Sequence, residues 1–387
     1  MPVSPLRLCA DNFTPPARTP WGGTRILSHY KAGLGLAASG VVGEAWEISV
    51  EPSFPSRARD GRLLAHAIAE APVAWLGERA VRRYGRATPL LVKLLDAAEP
   101  LSVQVHPADG DPALAADESG KPEAWIVLDA EPGAGLYLGF RDGVGAREVR
   151  ACLAAKGPLD ELMGFVPVAP GDAFVIEAGT PHAIGRGVTL LEPQLVRPGR
   201  RGLTYRFWDW NRRYDAHGRL DPSGAPRELH VERSLAVATF SGGDAARFVA
   251  ACRATAGEWT PRTMAGAGAA ADAGVAAAAD AGVAAEVGAA VDAGGMQRRV
   301  AIAWRWLEVE EWRGTGALTL DCNDAMTAVV CVGGALTVDT ELGSLVLACG
   351  ESGVIPAAAR TRAVRGTAAH AFAIEASAIE ASAIEAR

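Results

Sequence analysis

The chain has 387 residues, 49% of them hydrophobic and 21% charged, with a formal net charge of −7. That composition belongs to a globular protein long enough for two or more domains with separate cores, and not to a disordered chain. The acidic balance argues against a general binder of nucleic acid or anionic membrane, and no uninterrupted apolar run approaches the roughly 20 residues of a membrane span.

The six cysteines (Cys9, Cys152, Cys252, Cys322, Cys331, Cys349) are scattered without a C-x-x-C pair, so they read as thiols of a reducing compartment. Met1 to Pro20 carries five prolines and no apolar segment of the signal-peptide kind. A cytoplasmic enzyme or binding protein is the expectation.

In chain order, short strands are expected at 22–27 and 44–50, followed by helical spacing from Arg62 to Arg83 with Leu63, Leu64, Ala67, Ile68, Val73, Leu76 and Val81 as the apolar positions. Strands return at 90–95 and 101–106, and an Ala-rich helix is expected over 112–118. Strands follow at 124–130 and 135–140, a short helix at 146–155, and strands again at 164–168, 173–177 and 188–191. Many short strands with few helices point to a jelly roll, not to alternating βα units. Residues 264–295 form a low-complexity loop of Ala, Gly, Val and Asp, and a second set of strands is expected between 300 and 373, with separate short strands at 328–332 and 335–338 among them. The end repeats Ile-Glu-Ala-Ser-Ala with a period of five, which suits neither helix nor strand.

Leu101, Val103 and Val105 alternate with Ser102, Gln104 and His106, which places a hydroxyl, an amide and an imidazole on one face of a strand. Alone, such a face is ordinarily turned to water. Further on, Pro122 biases Lys121 towards an extended backbone, so Lys121 and Glu123 project from one face. Gly179-Thr180-Pro181 then sets His182 in a turn between two strands. Gln104, His106, Glu123 and His182 together offer two imidazoles, a carboxylate and an amide oxygen. This set suits a catalytic Zn²⁺ site that keeps a position for water or substrate.

The stretch Leu91 to Pro107 resembles the signature of type I mannose-6-phosphate isomerases, zinc enzymes of the cupin fold. So do Trp21-Gly22-Gly23, Gly43 to Ser49, Gly120-Lys121-Pro122-Glu123, Gly179 to Ile184 and Thr204-Tyr205-Arg206, in the family's order over roughly residues 20–215. The resemblance implies a mainly β fold of two cupin-like jelly-roll barrels with a few short helices. The chain is then expected to divide into a catalytic domain over 1–240 with a helical insert near 61–85, the loop 264–295, a second, non-catalytic β domain over 297–376, and a repetitive tail over 377–387. The resemblance also implies one zinc held by Gln104, His106, Glu123 and His182, and interconversion of mannose 6-phosphate and fructose 6-phosphate through a cis-enediol. Lys93 and Ser102 match positions near the phosphate, and Lys121, Glu192 and Arg206 match positions near the reacting carbons. The expected partner is a small hexose 6-phosphate, with no nucleic acid or membrane, and a monomer is favoured.

Which group acts as base stays open, and Glu192 has an alternative as the buried partner of an arginine. Pro122 departs from the family, which has a hydroxyl residue there. So does the basic connection from Arg197 to Gly202, which reads first as a solvated loop. Two other functions use the same ligands. His106, Glu123 and His182 form the two-histidine, one-carboxylate set of an iron oxygenase, and a non-catalytic sugar-phosphate binder would need no base. The phosphate-suited groups Lys93, Ser102, Lys121 and Arg206 tell against the first. Turnover would exclude the second. His230 reads as a surface histidine, and His29, His66, His217 and His370 as lacking partners.

Overall fold

The computed structural model describes residues 3–37, 40–261, 295–321 and 324–377. Residues 264–294 of the low-complexity loop and 378–387 of the tail lie outside the described residues, as does Cys322. The five described cysteines are free.

Two five-stranded antiparallel sheets face each other. The first has the order Glu44–Ile48, Leu90–Ala97, Val188–Leu195, Glu123–Ala130, Ala173–Ile176. The second runs Tyr205–Trp208, Val103–Val105, His182–Ile184, Gly135–Phe140, Met163–Pro167. Trp125, Val127, Ile176 and Leu190 of the first share one core with Leu136, Leu138, Val166 and Ile184 of the second. Strand period explains which side chains enter it. In Glu123–Ala130, residues 123, 125 and 127 point inward, whereas Ala124 and Ile126 join a different core on the outer face. Burial on both faces is why Leu90–Ala97 reads as a largely apolar run without alternation, and Val188–Leu195 is likewise buried along its length.

The third sheet has eight strands, dominated by Leu307–Asp321, Thr327–Thr340 and Thr361–Ala376. These strands bend at bulges beside Gly314, Gly316 and Gly333. Trp312 and Leu318, from opposite sides of one bulge, therefore share a core with Val329, Leu345 and Val364. Leu6–Arg7 joins this sheet by pairing with Ser352–Ile355. The largest core couples the third sheet (Val309, Val330, Phe372, Ile374) to the outer face of the first (Ile48, Leu94, Ile126, Leu191). Lys31 is buried at the seam, its Nζ 2.6 Å from Glu47 Oε1 and donating to Gly350 O at 2.7 Å.

The expected mainly β architecture is what the chain adopts, and four local expectations are corrected. The helical stretch 62–83 is three short helices, Leu64–Glu70, Pro72–Leu76 and Glu78–Tyr84, interrupted before Pro72 and at Gly77, whose φ is +81°. The strand expected at 22–27 gives way to a helical turn, Ile26–Tyr30, because the Asp96 carboxylate accepts the Arg25 N–H at 2.7 Å just ahead of it. No helix forms over 112–118. Asp111 and Glu118 side chains accept the N–H groups of Ala113 and Ala115, holding turns instead. The short strands expected at 328–332 and 335–338 are one bent strand, Thr327–Thr340.

Candidate metal centre and cleft

Ladder register assembles the site at one end of the sandwich. In the second sheet Gln104 is the partner of both His182 and Arg206, so all three project from one face, with His106 two residues along from Gln104. In the first sheet Glu123 is opposite Gln194, and Lys93 is opposite both Glu192 and Trp46. The sequence therefore folds with its polar inward positions gathered at this end and its apolar ones filling the remainder.

His106, Glu123 and His182 are fully buried, and one ligand atom from each lies within 4.8 Å of the others. His182 Nε2 is 3.3 Å from Glu123 Oε1 and His106 Nε2 is 3.4 Å from Glu123 Oε2. Each imidazole is oriented from behind: Nδ1 of His106 bonds to Leu203 O at 2.9 Å and Nδ1 of His182 to Thr180 O at 2.8 Å. A carbonyl only accepts, so both Nδ1 atoms carry the proton and both Nε2 atoms present lone pairs. Those two Nε2 atoms and Glu123 Oε1 are buried without a hydrogen-bond partner. Three convergent orphan acceptors are costly unless a cation joins them, so these residues fit a divalent metal. Gln194 Nε2 donates to the other oxygen, Glu123 Oε2, at 2.6 Å and fixes the carboxylate.

The electrostatics agree. Burial, aided by the Lys121 ammonium, pushes His106 down to about 4, so it stays neutral and able to ligate. Burial alone would raise Glu123, but the charge of Lys121 beside it opposes that and holds it below the usual carboxylate range.

Beside His106, Glu123 and His182 a cleft opens. Lys93, Ser102, Gln104, Lys121, Glu192 and Arg206 all line it, so the site residues proposed from the sequence gather around one space. Lys121 Nζ is 3.4 Å from Glu123 Oε2. Glu192 is buried, and its partner is Lys93 at 3.3 Å, not an arginine. Burial, then the charge of Glu123, lifts Glu192 to about 7 against the opposing pull of Lys93 and Lys121. Lys93 itself is held protonated: burial disfavours its charge, but Glu44 and Glu192 outweigh that and raise its pKa.

The cleft also holds residues the sequence did not single out. Arg18 and Arg227 line its rim. The Arg18 guanidinium lies over the Trp46 ring, and Lys93 Nζ is 4.9 Å from that ring's centroid. Segment 228–230 cradles Arg206, whose N–H donates to His230 Nδ1 at 3.2 Å and whose Nη1 donates to Glu228 O at 3.0 Å. His230 is thus a support for Arg206. The basic connection is tied down outside the cleft, with Arg197 on Asp109 and Arg201 on Glu118, each at 2.6 Å. His370, expected to lack a partner, is bonded to Glu311 at 2.8 Å in the third sheet, far along the chain from the site residues.

Comparison with known proteins bears out the resemblance read from the motifs. The catalytic domain of type I phosphomannose isomerases matches residues 18–132, a segment that holds Lys93, Gln104, His106 and Glu123. The mannose-6-phosphate isomerase of Streptococcus mutans is 34% identical over 224 residues, 57% of this chain and 64% of that enzyme. ManA of Bacillus subtilis, also a mannose-6-phosphate isomerase, is 34% identical over 221 residues, 56% of this chain and 64% of its own length. The match thus spans less than two thirds of these relatives. In fold, the mannose 6-phosphate isomerase structure from B. subtilis superposes with a TM-score of 0.69 at 22% identity, covering 96% of this chain and 99% of that one. The Salmonella typhimurium enzyme in its apo form gives 0.63 at 17% identity, over 97% and 99%. The chain shares the fold of these proteins. Among the described residues, no helix is long and apolar enough to cross a membrane.

Proposed function

We propose that the chain is a zinc-dependent aldose–ketose isomerase that interconverts mannose 6-phosphate and fructose 6-phosphate through a cis-enediol, acting as a cytoplasmic monomer. The observation that carries this reading is a set of convergent, unpartnered metal donors beside a buried carboxyl held near neutrality, in one cleft lined by cations. His106, Glu123 and His182 would hold the zinc, with Gln104 as the fourth ligand. Support for zinc comes from the donor set: two imidazole nitrogens and one carboxylate oxygen converge, with an amide side chain beside them, as suits a catalytic zinc site.

When bound, zinc supplies a Lewis acid that polarises the sugar's carbonyl or hydroxyl oxygen. Glu192, poised to exist in both protonation states, takes the C2 proton of the aldose and returns it to C1, while the O2 hydroxyl proton passes to O1. Nothing is oxidised overall, and no proton is gained or lost. Arg206 and Lys121, both cationic, face the negative charge that develops on the enediol oxygens. Lys93 and Ser102, with Arg18 and Arg227 at the rim, surround the phosphoryl group. Residues 1–240 make up the catalytic part, with the helical insert at 61–85, and 297–376 a second part with no reaction site. A coupled assay of purified protein with each sugar phosphate, scored with Glu192→Gln as control, tests the assignment: turnover in the parent and its loss in the variant are expected.

A further inference from the structure

We propose that Glu177 is a positioning residue through which the third sheet fixes the spacing of the metal ligands. This rests on His106, Glu123 and His182 being ligands. The loop 177–181 joins the strand Ala173–Ile176, which pairs with the strand of Glu123, to the strand His182–Ile184, which begins with His182, and it bonds to the backbone of His106. Ile176, just before it, is the ladder partner of Glu123. Gly179 donates its N–H to His106 O at 2.8 Å. Thr180 O takes the Nδ1 proton of His182. The loop has little slack: Gly179 has φ +84°, and a Cβ there would lie 2.7 Å from Thr239 Oγ1.

The loop's first side chain reaches out of the sandwich. Glu177 accepts the Trp304 indole N–H on Oε1 at 2.8 Å and the Arg305 guanidinium on Oε2 at 2.6 Å. Both donors sit in the tight turn between Gln297–Ala303 and Leu307–Asp321, closed by reciprocal backbone bonds of Trp304 and Leu307 at 3.0 and 3.1 Å. A carboxylate gripped at both oxygens by a closed hairpin turn is a fixed reference point for the loop. The pair is 39% and 46% exposed, so it adds little to global stability. Its effect falls on the spacing of three ligands, to which metal affinity is sensitive.

The test measures zinc affinity of the full chain by competition with a chromophoric chelator, beside the melting temperature of the metal-free protein. Glu177→Ala is expected to weaken zinc binding roughly 10-fold, as loss of an outer contact does, and to move the melting temperature by less than about 3 °C. Glu177→Gln keeps an acceptor for Trp304 and is expected to fall between the two. Trp304→Phe removes only the indole donor and reads the same contact from the other side. Unchanged zinc affinity in both Glu177→Ala and Trp304→Phe overturns the proposal, whatever happens to the melting temperature. A parent chain that binds no zinc overturns it together with the isomerase reading. A parent that binds zinc but converts neither sugar phosphate overturns the isomerase reading alone.

Discussion

Trp125 gives its indole N–H to Glu192 Oε1 at 3.2 Å, while its ring stands edge-on to His182 with centroids 5.3 Å apart. One side chain thus ties the Glu192 carboxyl to His182 on the facing sheet. A donated hydrogen bond favours the charged carboxylate, so removing it raises the pKa further. Trp125→Phe is expected to move the acid limb of the pH–rate profile upward by roughly one unit, equivalent to about 1.5 kcal/mol. An unmoved limb would show that this contact does not tune Glu192.

The limb itself should lie close to neutrality. With Glu192 lifted to about 7 by burial and the charge of Glu123, its basic form is depleted as pH drops below that point. Activity is therefore expected to fall about tenfold per unit on the acid side, and Glu192→Gln to remove the limb with at least a roughly 100-fold loss of kcat. Stability has its own sign. The native carboxyl binds its proton up to about 7 and the unfolded one only to about 4.5. The native state thus holds more protons between these values, and stability declines as pH rises through that window. Urea midpoints at pH 5 and pH 8 should differ more in the parent than in Glu192→Gln.

Much of this site is legible in the sequence because the alternation in Leu101–His106 already puts Gln104 and His106 on one face. Glu123 and His182 add a carboxylate and a second imidazole from their own motifs, whereas Glu192 and Arg206 needed the family resemblance, since spacing alone does not say which strands face each other. Trp125 and Gln194 escaped because their roles depend on ladder register: Gln194 matters by standing opposite Glu123, and nothing local marks it. Arg18 and Arg227 are brought to one rim by Arg227 donating to Arg18 O at 2.8 Å, across more than 200 residues. The failed helix at 112–118 has a different cause, since its composition favours a helix and two carboxylate side chains capture the backbone N–H groups first.

Gln194 holds the Glu123 carboxylate through a 2.6 Å hydrogen bond and leaves Oε1 free for the metal. Gln194→Leu is expected to cost about 10- to 100-fold in zinc affinity, measured by chelator competition, while Val188–Leu195 keeps its pairing. Affinity equal to the parent would mean that Glu123 is oriented by other contacts.

Lys31 and Glu47 form an ion pair with 0% and 3% side-chain exposure, where the first sheet meets the third. Removing one charge strands the other, so Lys31→Met is expected to destabilise the protein by about 3–5 kcal/mol. The double variant Lys31→Met with Glu47→Met should recover most of that loss. Denaturant midpoints of the three proteins decide it, and a double variant no better than the single would contradict the pairing.

The most direct measurement is a coupled isomerase assay on purified protein as isolated, after chelator treatment, and after zinc is restored. Turnover of mannose 6-phosphate and fructose 6-phosphate that disappears with the chelator and returns with zinc is the expected result. Protein carrying one equivalent of zinc yet inert towards both sugars would contradict the assignment.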